Sequence, residues 1–98
     1  MVKKENVMKA LKKVVDPELG IDLVNLGLVY DVRINNGLVE IDMTLTSPGC
    51  PIAPQIMSES QEVVKKLKGV KKVQVEFVFD PPWTPKMISD EAKALLGI

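Results

Sequence analysis

The chain has no histidine, one cysteine, one tryptophan and one tyrosine among its 98 residues. Without histidine no imidazole can serve as a general base near neutral pH, and a Cys/His zinc quartet within one subunit is excluded. A single cysteine excludes an internal disulfide, and an unpaired thiol in so short a chain fits a reducing compartment, so a cytoplasmic protein is expected. Charge of one sign is not in excess either. Thirteen Lys and Arg balance 13 Asp and Glu, which disfavours a nucleic-acid partner. No apolar run approaches the ~20 residues of a membrane span, and the lysine-rich beginning lacks an apolar signal segment, so no membrane association is expected.

What remains is an ordinary globular composition, 46% hydrophobic and 27% charged, of a length that fits one domain over 1–98. Lysines cluster at Lys3, Lys4, Lys9, Lys12 and Lys13, and again at Lys65, Lys66, Lys68, Lys71 and Lys72. They read as solvated helix faces and helix ends.

Apolar spacing at Val7, Met8, Leu11, Val14 and Val15 predicts a helix over 4–15, ended by Asp16-Pro17 because proline disfavours helical geometry in the residue before it. Alternation predicts strands over 28–34 and 39–45 around Asn35-Asn36-Gly37, a strong hairpin signal. With Asn36-Gly37 as the turn, Ile34 faces Val39, Val32 faces Ile41, Tyr30 faces Met43 and Leu28 faces Leu45. The other face sets Arg33 against Glu40 and Asp31 against Asp42, and the second pair predicts a wet or frayed edge. A second helix is expected from Cys50 or just after it to the stop at Gly69, a third strand over 73–79 and a last helix over 86–96. The order helix-strand-strand-helix-strand-helix predicts an α+β domain. A mixed three-stranded sheet carries its helices on one face, because a helical crossover joins parallel strands.

Cys50 lies in Thr46-Ser47-Pro48-Gly49-Cys50-Pro51, between a strand and a helix. A helix start offers free N–H groups and a positive dipole end, both of which favour thiolate, so Cys50 is the candidate reactive group and metal ligand. The bland alternative is a small buried apolar residue. Thr46 could place a hydroxyl nearby or be an ordinary strand threonine. The Asp16-Pro17-Glu18 loop could be only a turn, or could bring its carboxylates to the sulfur to hold a metal or move a proton. Trp83 reads equally as a core anchor or as a partner contact.

Asp16-Pro17-Glu18, Val24-Asn25-Leu26-Gly27-Leu28-Val29, the stretch 46–51 and Asp80-Pro81-Pro82-Trp83-Thr84 occur in one order across nearly the whole chain. Together they resemble the small α/β family of PaaD-like and SufT-like proteins. The resemblance implies a role in iron-sulfur cluster assembly and delivery, and a fold similar to the C-terminal domain of NifU-type scaffolds. It also implies a site lined by Asp16, Glu18, Thr46 and Cys50. The reading that follows is a non-enzymatic accessory factor in which Cys50 contacts iron, a cluster or a partner thiol. One cysteine cannot supply four cluster ligands, so a transient cluster would bridge a homodimer or be completed by assembly proteins or client apo-proteins. Trp83 and Thr84 are the candidate partner contacts. The rival readings are a cysteine-nucleophile enzyme using Asp16 or Glu18 as base, and a structural subunit or docking module of a larger oxygenase-type complex.

Overall fold

The computed structural model describes residues 2–17, 19–46 and 52–97. Helix α1 (Lys4–Leu11) begins where Asn6 Oδ1 accepts from the Lys3 amide, a local cap for otherwise orphaned N–H groups. It ends four residues before the expected point. Lys13 and Val14 bond back three residues, and Val15 then forms a β-bridge with Asp22. Proline at 17 forbids the next helical turn, and the β-branched Val14 and Val15 gain more from extended pairing with 21–23 than from fraying helix.

Strands β1 (Val29–Asn35) and β2 (Leu38–Met43) form the expected hairpin, with Asn36 and Gly37 both at positive φ as a tight primed turn requires. Register follows expectation from Ile34–Val39 back to Asp31–Asp42 and then slips, so that Val29, not Tyr30, faces Met43. Tyr30 is the extra residue of a bulge. Its hydroxyl donates to the Pro81 carbonyl at 2.7 Å and lies 3.5 Å from Met87 Sδ. The Asp31–Asp42 pair is not frayed. Arg33 sits between them, with Nη1 at 3.0 Å from Asp31 and 2.7 Å from Asp42, and Nη2 closing a fork on Asp42 at 3.0 Å. The hydrogen bonds to Asp42 and then to Asp31 raise the Arg33 pKa, and the guanidinium in turn lowers that of Asp42.

Helix α2 (Ala53–Lys65) crosses over to β3 (Lys72–Phe77), which lies parallel to β2 and gives the order β1-β2-β3. The helix cap is Ile52, later than expected. A start at Cys50 would have put Pro54 at the first position that must donate a helical bond, whereas a start at Ala53 leaves Pro54 in the first turn. β3 stops at Phe77 rather than 79. The expected last helix is split into a 3-10 turn (Pro85–Met87) and α3 (Asp90–Leu96) because Ser89 caps the latter, its Oγ accepting from the Ala92 amide.

The core lies between α1, α2 and the apolar face of the sheet. Val7, Leu11, Val39, Ile41, Met43 and Val64 have no solvent exposure. The opposite sheet face carries Asp31, Arg33, Glu40, Asp42, Gln74 and Glu76. No helix among the described residues is long and apolar enough to cross a membrane.

Candidate functional site

β2 and β3 run parallel and β1 runs against them, so the segments entering β1, leaving β2 and leaving β3 share one end of the sheet. Backbone bonds tie them together there. Thr44 N donates to Leu28 O at 2.8 Å, and Val78 N donates to Met43 O at 2.8 Å. Of the residues singled out by sequence, Asp16 and Thr46 are described near this end.

Asp16 is only 4% exposed, which is uncommon for a carboxylate and demands polar partners. Its backbone N–H donates to Ile21 O at 3.0 Å, its carbonyl accepts from Gly20 N at 2.8 Å, and its Oδ1 accepts from Leu19 N at 3.3 Å. The bend is thus a closed loop around Pro17, pinned to the next segment by Leu23 N donating to Val14 O. From there the path to the strand end is short, since Leu28 N bonds Leu23 O and Leu28 O accepts from Thr44. Thr46 is half-buried two residues further on, along the stretch that leads towards Cys50. Glu18 and Cys50 lie outside the described residues. The fold therefore brings the Asp16 bend and the Thr46 segment to the same end of the sheet. Among the described residues, no group of three or more His, Cys, Asp or Glu side chains could hold a metal ion.

Trp83 is half-buried against the core, and its indole N–H donates to Leu26 O at 2.7 Å. This geometry is that of an anchor, holding the segment after β3 onto the loop before β1. Thr84 is exposed; its carbonyl accepts from Met87 N, and its side chain caps nothing. Sequence reasoning placed Asn25 and Gly27 within a motif but did not single out Asp22 or Ser89, which complete this lock. Asp22 accepts from Asn25 through both the backbone N–H (3.0 Å) and Nδ2 (2.6 Å), leaving Asn25 Oδ1 to accept from Ser89 Oγ at 2.8 Å while Ser89 N donates to Asn25 O at 2.7 Å. Gly27 has φ +75°, and a Cβ there would lie 2.3 Å from Met87 O. The Asp-x-x-Asn spacing of 22 and 25 and the Ser89-Asp90-Glu91 helix start were the available signals. Two of the four quoted motifs thus interlock, one around Asn25-Leu26-Gly27 and the other around Trp83.

Thr44 Oγ1 and Ser60 Oγ are buried without a hydrogen-bond partner among the described residues. Thr44 is the residue that immediately follows β2.

Comparison with known proteins gives a consistent answer. The chain is 55% identical over 96 residues to an Fe-S protein maturation auxiliary factor, YitW, of Bacillus subtilis, covering 97% of this chain and 94% of that one. It is 49% identical to the Fe-S protein maturation auxiliary factor SufT of Staphylococcus aureus, covering 87% and 98%. A crystal structure of a DUF59 domain from Bacillus anthracis superposes with a TM-score of 0.93 at 44% identity, over 97% of this chain and 92% of that one. The sequence model of a family described as iron-sulfur cluster assembly protein matches residues 4–77. On these matches the chain belongs to the iron-sulfur cluster assembly protein family.

Proposed function

We propose that the protein is a cytoplasmic, non-enzymatic accessory factor that passes iron or an iron-sulfur cluster to recipient apo-proteins, with Cys50 as the contact to iron, cluster or partner thiol. The cluster is cargo. One thiolate cannot hold it alone, so small thiols, assembly proteins or the recipient complete its coordination. Asp16, Glu18 and Thr46 are proposed to flank the sulfur. The observation that carries this reading is the Asp16 carboxylate, 4% exposed in a bend built at the sheet end from which the chain runs on to Cys50. Carboxylate oxygens are donors that iron accepts, so a carboxyl fixed at that end suits the proposed cargo.

The test is anaerobic incubation with ferrous iron, sulfide and a small thiol, read by visible charge-transfer absorption in the wild type and in Cys50→Ser. Bands present in the wild type and lost in the variant support the reading. Bands of equal strength in both remove Cys50 from ligation, and no bands in either remove direct cluster contact.

A further inference from the structure

The two edges of the sheet are not equally protected. Among the described residues, β3 pairs only with β2. Lys72 N and Val78 N donate towards Gly37 and Met43 on the β2 side, so by the alternation of a ladder the amides of Val73, Val75 and Phe77 point away from the sheet. Open hollows of about 330 and 360 Å³ flank this strand. Gln61, Lys65 and Val73 line the first, and Gln74, Val75 and Glu76 the second. The apolar row Val73, Val75 and Phe77 is only half-buried, while its β2 neighbours Val39, Ile41 and Met43 are wholly covered. Unpaired strand amides beside a half-covered apolar row form a template for another strand.

We infer that this template is filled by the same edge of a second copy, antiparallel across a two-fold axis at Gln74, to make a continuous six-stranded sheet. The strand is self-complementary in that register. Gln74 opposes the partner subunit's Gln74, Val73 opposes the partner subunit's Val75, and Lys72 opposes the partner subunit's Glu76. The valine pairs fall at hydrogen-bonded positions, where the outward amides can be exchanged. The Lys–Glu pairs fall at the non-hydrogen-bonded positions, where side chains approach most closely. A slip of one residue would turn valines towards water. A slip of two would place Gln74 opposite Glu76 and Lys72 opposite Val78, losing both ion pairs. Charge therefore selects the register.

This dimer has a consequence for the cargo. β2 is parallel to β3 within each subunit, so pairing β3 edges head to tail sends the two stretches leaving β2 to opposite ends of the sheet. The Asp16 bend and Thr46 of one subunit thus lie at the opposite end of the sheet from those of the other, and each proposed site would draw its further ligands from outside this dimer.

Sedimentation equilibrium over a wide concentration range tests the inference. A dimer is expected for the wild type. Lys72→Glu and Glu76→Lys, both at exposed strand positions, should each weaken it by about tenfold or more, since each sets like charges opposite one another twice. The double reversal should restore it. Gln74→Cys in a Cys50→Ser background should cross-link as a dimer on mild oxidation, because a non-hydrogen-bonded pair holds its Cα atoms about 4.5 Å apart, within disulfide range. A single-chain mass at every concentration would overturn the inference. So would a dimer that ignores both single reversals and leaves Gln74→Cys unlinked. Neither result bears on cluster binding by Cys50, which is read separately by absorption.

Discussion

β1 and β3 are the two outer strands of one small sheet, and the contrast between them shows where this chain spends its specific interactions. The β1 side is bulged at Tyr30, tied to Pro81 and Met87 by that side chain, and clamped on its open face by Arg33. The loop before it is locked to the last segment by Trp83, Asn25 and Ser89. Among the described residues the β3 side shows none of these devices, and its solvent-facing row is Lys72, Gln74 and Glu76. The protected side adjoins the end that holds Asp16.

The contrast can be broken most forcefully at Gly27. Alanine there combines a left-handed backbone with a Cβ driven into the Met87 carbonyl, and about 2–4 kcal/mol of stability should be lost. Denaturant unfolding would measure it, and a near-neutral result would mean that the last segment is not locked as described. A milder cut is Ser89→Ala, which removes both the α3 cap and the Asn25 contact and should cost about 1–2 kcal/mol. Its amide exchange should quicken over 84–97 but not over β3. The smallest effect belongs to the Arg33 fork. Because Asp42 is held below its ordinary value of 3.8, the pair stabilises the fold above that pH, and the gain disappears as acid takes the pH down through the lowered value. Asp42→Asn should therefore unfold slightly more easily than wild type near neutrality, and the two curves should converge in strong acid. A gap that widened on acidification would reverse the sign.

Element order, the mixed sheet and the hairpin turn were legible because they rest on local signals: period, proline position and Asn36-Gly37. The register was legible as far as Asp31 for the same reason. It failed at Tyr30 because the bulge answers to Pro81 and Met87, more than fifty residues away, and no periodicity carries that information. The end of α1 and the start of α2 were misplaced by competing local terms, extended pairing at Val15 in one case and the donor missing from Pro54 in the other. Of the candidate site, the acidic bend could be named from sequence, but its burial could not. A turn built on proline usually lies in water, and only the ties from 14–16 to 21–23 fold it inwards. Cys50 and Glu18 fall outside the described residues, so their expected proximity to Asp16 stands as part of the proposal.

The lone tryptophan, seated with its ring nitrogen on the Leu26 carbonyl, makes the molecule its own optical gauge. Excited beyond the absorption band of Tyr30, ultraviolet emission from this chain comes from one indole at one junction. A red shift on adding a recipient or on mild heating would report release of the C-terminal strap with no label attached, before the sheet itself melts.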